Sequence, residues 1–355
     1  MRESNKEHAM ELGRIGLLMA TLLGAAALLL AETALAQGGA LYGPSGVSPM
    51  AVKQGTLGSC YFHASIAAVA KVSPSSIKSA ISGNGQRGYK VHFLTGPDEV
   101  VYPQDIAYAH EHAYDRSEGE WVTVLMRGYA QRALRHSMVE AVNRSTSIPP
   151  FAKPIVLNAL AQTGPLLLAY DRAVRSVVSQ DGQMDKATFE AQLNKEIVAL
   201  GVPPAQAQVV GGMLEKGGLY EAIAKSVREN GEVFGAYRSL GQGGIPFNVL
   251  EALLGTAHSI PVTDSALGGQ LRNLHAGSVA MVSGTKASGG PGSGADWYVP
   301  AHAYTVLDYD EGARMVLLRN PWGTKPGPDG VFRLPLSEFQ RVYENFSYSS
   351  PGGKE

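Results

Sequence analysis

Two apolar periods alternate along this chain. After Cys60, the positions Phe62, Ile66 and Val69 recur at i, i+4 and i+7, the spacing of one buried helical face, and Lys71-Val-Ser-Pro74 stops the run. The same helical period fills the middle of the chain. It runs through Ile155, Leu157, Leu160 and Leu166–Leu168, then Phe189, Leu193, Ile197 and Leu200, then Val209, Met213, Leu219, Ile223 and Val227. Pro149-Pro150, Pro203-Pro204 and Gly217-Gly218 punctuate these runs as loops. Towards the C-terminus the pattern changes, and Ala303 to Tyr309 and Arg314 to Arg319 read as two strands of a hairpin. A three-residue loop, Asp310-Glu311-Gly312 with glycine at the left-handed position, would set Tyr309 opposite Ala313. In that register His302 falls opposite Asn320, where cross-strand Cβ atoms lie ~4.5 to 5.5 Å apart. Pro321, which has no N–H to donate, ends the ladder, and Trp322 is large enough to cover the His302–Asn320 contact.

The N-terminus carries a third pattern. A charged lead, the apolar run Ile15 to Ala31 and small residues at Ala34 and Ala36 read as a secretory signal peptide over 1–36. The run is slightly long for a signal core, which leaves a retained membrane anchor as the alternative, yet it is short of the ~20 residues that span a bilayer comfortably. Either reading puts the folded part outside the cytoplasm, periplasmic or extracellular. With 30 basic against 31 acidic residues there is no charge excess to attract nucleic acid or an anionic membrane. At 45% hydrophobic, the 355 residues suffice for a large core in one or two domains.

Export sharpens the question of the single cysteine. Cysteines outside the cytoplasm usually pair, and Cys60 has no intrachain partner. Three readings stay open: a buried small hydrophobe, an intermolecular bridge, or a thiol kept for its reactivity. Its position at the start of a helix, behind a loop with Gly55 and Gly58, places unsatisfied N–H groups and the positive end of the dipole against the sulfur, which lowers a thiol pKa. Gln54 lies six residues upstream, so the loop can curl its amide back as an oxyanion donor beside the Cys60 N–H. A thiolate nucleophile also needs a base and a group to orient it, the roles that His302 and Asn320 suit. An ordinary hairpin with a surface histidine and a core tryptophan is the competing reading of the second segment.

At these residues the chain resembles the calpain-like cysteine proteases, a branch of the papain fold. QGTLGSCYFHASIA, AHAYTV and LLRNPWG are similar to three signature segments of that family. GYKVHFLTGPDEVVYPQDI resembles its strand pair after the cysteine helix, EGEWVTVLMRGYAQ its following helix, and GVFRLPLSEFQRVYENFSY its closing strand and loop. The resemblance implies an α+β, papain-like two-lobed fold, with a helical lobe carrying the cysteine and an antiparallel β lobe carrying histidine and asparagine. It implies Cys60 as nucleophile, His302 as base and acid, Asn320 as orienter, Gln54 as oxyanion donor and Trp322 as the tryptophan beside the asparagine. The family usually has Asp-Cys-Trp where this chain has Ser59-Cys60-Tyr61, a change that bears on substrate fit more than on proton transfer. Residues 37–133 and 241–355 then form the catalytic domain and 134–240 a helical insertion.

The expected activity is that of a cysteine endopeptidase acting on a protein or peptide substrate through a Cys-His-Asn triad and a thioester. The alternatives are a catalytically silent binding module and an acyltransferase using the same triad. No cofactor is required by this chemistry. Calcium, which many family members bind, is left open: Ala51 stands where an acidic ligand is expected, Asp296 and Asp310 remain for another site, and no ligand set is complete. QDGQMDKATFEAQL resembles half an EF-hand loop, but Val177 and Thr188 would fill its first and twelfth positions, so a helix start near Asp181 or Asp185 explains it better. The histidines of His110-Glu111-His112 are two apart and cannot share one helical face as a metal motif requires. The glycine-rich Gly284 to Trp297 reads as a linker or as a flap at the rim of a cleft.

Overall fold

The computed structural model describes residues 40–144, 150, 153–154, 169, 171–173, 185–199, 236–291 and 295–350. The N-terminal segment 1–36, the Ile155–Leu168 and Val209–Val227 runs, and Val177 and Asp181 of the EF-hand-like stretch lie outside them.

In chain order the elements are α1 (Cys60–Val72), α2 (Pro74–Ala80), β1 (Ile81–Asn84), β2 (Gly88–Val91), β3 (Glu99–Val101), α3 (Pro103–Glu111), α4 (Trp121–Arg144), α5 (Lys186–Ala199), α6 (Ala236–Gly241), α7 (Pro246–Leu254), β4 (His258–Pro261), α8 (Leu267–His275), β5 (Ala280–Thr285), β6 (Ala303–Asp310), β7 (Met315–Arg319), β8 (Val331–Pro335), α9 (Leu336–Val342) and β9 (Tyr343–Ser349). The architecture is α+β: a helix-rich N-terminal region with a small antiparallel sheet β1-β2-β3, followed by a six-stranded antiparallel sheet ordered β4-β9-β5-β6-β7-β8.

The six-stranded sheet has apolar residues on both faces, and strand alternation divides them. Ala280, Val282 and Ala303 join the core of the helical region, while Met281, Tyr304 and Val306 join a second core under α8 and α9. Helix α1 runs between the helical region and this sheet. Its stripe of Phe62, Ile66 and Val69 is buried as the spacing predicts, but so is every residue from Tyr61 to Ala70. The periodicity understates the burial because α7 and the β5–β6 face cover the sides that the spacing leaves open. A buried hydroxyl ties helix to sheet, Thr305 Oγ1 donating to the Ala64 carbonyl at 2.9 Å.

The β6–β7 hairpin differs from its predicted register. Thr305 pairs with Arg319 and Val306 with Leu318, a bulge follows, and Tyr309 pairs with Val316. The loop is one residue longer than three, and the left-handed residue is Arg314, at φ 55°, in place of Gly312. The Asp310 carboxylate explains this choice, since its Oδ1 accepts the Ala313 N–H at 2.8 Å and supplies the turn's closing bond. His302 and Asn320 are therefore not directly opposed; Asn320 stands beyond the Thr305–Arg319 pair and takes its own main-chain bond to Gly330.

In the middle of the chain, Phe189, Leu193 and Ile197 form the buried face of α5 as their spacing predicts. Asp185 caps that helix, its Oδ2 accepting both the N–H and the hydroxyl of Thr188 at 2.7 Å. His110, Glu111 and His112 are exposed at the end of α3, with the His112 ring stacked on Tyr108. The described ends of the glycine-rich stretch are pinned. Gly284 and Thr285 belong to β5, the Tyr298 hydroxyl donates to the Lys286 carbonyl at 2.6 Å, and a Cβ at Gly290 would strike the Tyr298 ring. Among the described residues no helix is long and apolar enough to cross a membrane.

Candidate functional site

Cys60 occupies the first position of α1, with Ser59 as its N-cap residue, so the predicted helix start is observed. The loop before it is held by main-chain bonds across to 113–116. Gly55 N–H donates to Tyr114, Thr56 N–H to Ala113, and Arg116 N–H to Lys53. Gly55 has no room for a side chain, since a Cβ there would sit 1.9 Å from the Ala113 oxygen. Gly55→Ala is therefore expected to displace the segment that carries Gln54 and Cys60 and to cost about 1–3 kcal/mol, the usual range for overpacking. Denaturant melts of the two proteins measure that cost, and an unchanged midpoint would contradict it.

The loop's inner side is fixed by residues that the sequence pattern did not single out. His63, one turn into α1, is fully buried. Its Nδ1 lies 3.0 Å from the Ser59 carbonyl and 3.1 Å from its hydroxyl, and its Nε2 is 3.5 Å from Asp115 Oδ1. Asp115 in turn accepts from Ser117 and Thr123, and these hydroxyls together with His63 hold its carboxyl below the usual range despite complete burial. The pair His63–Asp115 joins the first turn of α1 to the strand-like segment that bridges to Gln54. A buried histidine three residues after the cysteine, in the quoted stretch itself, was the available signal. Ser59 and Tyr61, which depart from the family pattern, both turn into the interior. Tyr61 is 4% exposed and packs edge-on to Tyr129, so it lies in the core.

On the other side, His302 precedes β6 and is buried. Its Nε2 lies 3.0 Å from Asn320 Oδ1, which also accepts the Trp322 main-chain N–H at 3.1 Å. The second bond fixes the amide orientation, because an NH2 group facing Trp322 N–H would set donor against donor. The oxygen therefore faces His302, Nε2 carries the proton, and Nδ1 of the neutral ring is left as an acceptor. Trp322 lies against the imidazole with ring centroids 4.9 Å apart and an interplanar angle of 49°, covering the contact as expected. The adjoining Arg319 is buried and donates to the Val52 carbonyl at 2.5 Å, which ties the end of β7 to the cysteine loop; burial lowers its pKa to about 10.

The structure brings the two halves together at Ala303, whose main-chain N–H reaches the Cys60 sulfur. Burial nonetheless pushes the thiol up, outweighing the N–H groups of Ala303, Tyr61 and Cys60 itself, which act in the lowering direction expected at a helix start. Burial likewise pulls the His302 imidazole down, partly offset by its bond to Asn320. Thiol and imidazole thus both favour their neutral forms, in place of the lowered thiol expected from the helix start alone. Among the described residues no hydrogen bond joins Cys60 to His302.

Gln54 is placed differently from its expected orientation. Its Nε2 donates to the Leu57 carbonyl at 2.6 Å, inside its own loop, and its Oε1 is buried without a partner. One of the two amide protons is thereby committed and one is left. Among the described residues no cluster of three or more histidine, cysteine, aspartate or glutamate side chains is placed to hold a metal ion. Asp310 is engaged by the hairpin turn.

No family model matches the chain, and no curated protein does. Among solved structures, a crystal structure of PepW from Lactobacillus rhamnosis HN001 aligns at 11% identity over 83% of this chain and 79% of its own, with a TM-score of 0.29. A likeness at that level carries no argument about this chain's fold or activity.

Proposed function

We propose that this chain is a papain-like, calpain-like cysteine peptidase that hydrolyses peptide bonds in the cleft between its helical region and its six-stranded sheet. The observation that carries the reading is the His302–Asn320 hydrogen bond, held one residue from the amide that reaches the Cys60 sulfur. In the reaction, the Cys60 thiol gives its proton to His302 Nδ1 as Sγ bonds to the substrate carbonyl carbon. The Cys60 N–H and the remaining Gln54 amide proton serve the oxyanion. His302 then protonates the departing amine as the C–N bond breaks, and water, giving its proton to His302, cleaves the thioester. Asn320 keeps the ring's Nδ1 turned to the sulfur throughout. The apolar run at Ile15–Ala31 supports work outside the cytoplasm.

Two observations favour a second reading, a papain-like binding module without turnover. Cys60 and His302 share no hydrogen bond, and one of the two Gln54 amide protons is already engaged with Leu57. The two readings separate on one experiment: the full chain with reductant and an unfolded protein, with and without calcium and a thiol-directed peptidyl inhibitor. Inhibitor-sensitive cleavage supports the peptidase, and the calcium arm decides whether a metal is needed. Labelling of Cys60 without cleavage supports binding alone, and product carrying an added amine would support acyl transfer. The pH dependence has a fixed sign. Neutral His302 is the base and its pKa lies below the ordinary 6.5, so kcat/KM is expected to hold down to pH 6.5 and fall only below it. Alkylation of Cys60 by iodoacetamide is expected to rise only above the ordinary thiol range; alkylation already maximal at pH 5 would show an ion pair in place of the neutral one.

A further inference from the structure

A cavity of about 200 Å³ opens beside the candidate site, between the start of α7 and strands β4, β9 and β5. Its walls join the site by short, direct links. Thr285 Oγ1 accepts the His302 N–H at 3.0 Å, and Thr285 N–H donates to the His302 carbonyl at 2.9 Å. Gly284 pairs with Ala303, whose amide faces the Cys60 sulfur. The cavity is therefore about one strand spacing, ~4.8 Å, from the residues that meet the thiol.

Its chemistry is divided. Ile245, Pro246 and Val282 offer an apolar side, and Ile245 is 57% exposed at the rim although it is a large aliphatic residue. Glu344 is the charged residue of the lining; it is exposed, and among the described residues its carboxylate has no ion pair. Gly284 lines this space, and a Cβ built there meets nothing within 4 Å, so a larger side chain at that position has room to extend. An aliphatic stem ending in a cation matches such a site, the stem lying on the apolar wall and the charge reaching the carboxylate.

We infer that this cavity receives a lysine or arginine side chain of the substrate, near the bond attacked, with Glu344 as the group that selects it. The inference rests on the proposed peptide cleft, and its test separates the two. Two peptide sets are compared, in which lysine or its uncharged counterpart norleucine is walked through each position. Binding to the full chain carrying Cys60→Ala is measured by calorimetry, and cleavage by the unaltered protein is read by mass spectrometry. Lysine is expected to be preferred over norleucine at one position, and Glu344→Gln is expected to lower that preference about tenfold. Glu344→Lys should reverse it towards glutamate. Gly284→Leu should weaken both lysine and norleucine at that position by filling the space. Cleavage without a basic preference, or a preference untouched by Glu344→Gln, would overturn the inference and leave the peptidase standing. Lysine-selective binding that is lost in Glu344→Gln, without cleavage of any peptide, would uphold the subsite and remove the peptidase. Neither binding nor cleavage would remove both.

Discussion

Cys60→Ala is expected to lower peptide hydrolysis by at least about 1,000-fold while leaving the melting midpoint nearly unchanged. The expected loss is large because the sulfur forms the covalent bond, and no second cysteine exists to replace it. The structural effect is small because the side chain is only half-buried and alanine is a good helix former at the first position of α1. His302→Ala should cost about as much, and the double variant little more than either single one, because residues acting as one unit are strongly non-additive. Turnover like that of the unaltered protein in Cys60→Ala would refute the proposed chemistry outright. Additive losses in the double variant would mean that the two residues do not share a step.

The largest expected effect on stability lies away from the site. Arg127, in the second turn of α4, is completely buried. Its Nη2 lies 2.8 Å from Asp171 and 3.5 Å from Asp105, and its guanidinium stands over the Tyr237 ring at 5.1 Å. Burial alone would lower its pKa, but the two carboxylates outweigh it and hold the group charged. Asp171 also accepts the Ala236 N–H at the start of α6, and Arg172 meets Asp105. One cluster thus fastens residues 171–172 and 236 to α3 and α4. Arg127→Met keeps the stem but leaves buried carboxylates short of a cation, for which about 3–5 kcal/mol is the usual cost. That is a large share of the ~5–15 kcal/mol that holds an ordinary domain folded. Chemical denaturation of the two proteins measures it. A loss below about 1 kcal/mol would show that water or other charges already compensate these carboxylates. A combined Arg127→Met, Asp171→Asn variant should recover part of the loss, because one of the carboxylates facing the missing cation is then neutral.

Much of the site could be read along the chain, and the reason differs from residue to residue. The helix start at Cys60 and the cap at Asp185 are local events, decided by the few residues on either side, so short-range pattern was enough for both. The contact of His302 with Asn320 was also legible, but its route was not. The expected register relied on Gly312 closing a three-residue loop, whereas the Asp310 side chain closes a longer one and a bulge shifts the strand. The contact survives because both residues lie beyond the paired ends of the strands, where side chains can meet diagonally. Gln54 was read as aimed at the sulfur, yet it donates to Leu57, a competition inside one tight loop that spacing does not reveal.

The sequence by itself determined the elements that carry Cys60, His302 and Asn320, and the apolar faces of α1 and α5. Local bonding and residue spacing suffice for those. Only the tertiary structure decided that α1 is buried all round, that the Ala303 amide meets the thiol, and that Arg127 finds Asp105 and Asp171. It alone set the protonation balance as well. A helix start favours thiolate, but burial favours the neutral thiol, and α1 is packed by segments far along the chain, as the Ser65 hydroxyl's bond to the Pro246 carbonyl shows. The cavity with Glu344 belongs to the same class, since its walls come from α7, β4, β5 and β9 and exist only once the sheet is assembled.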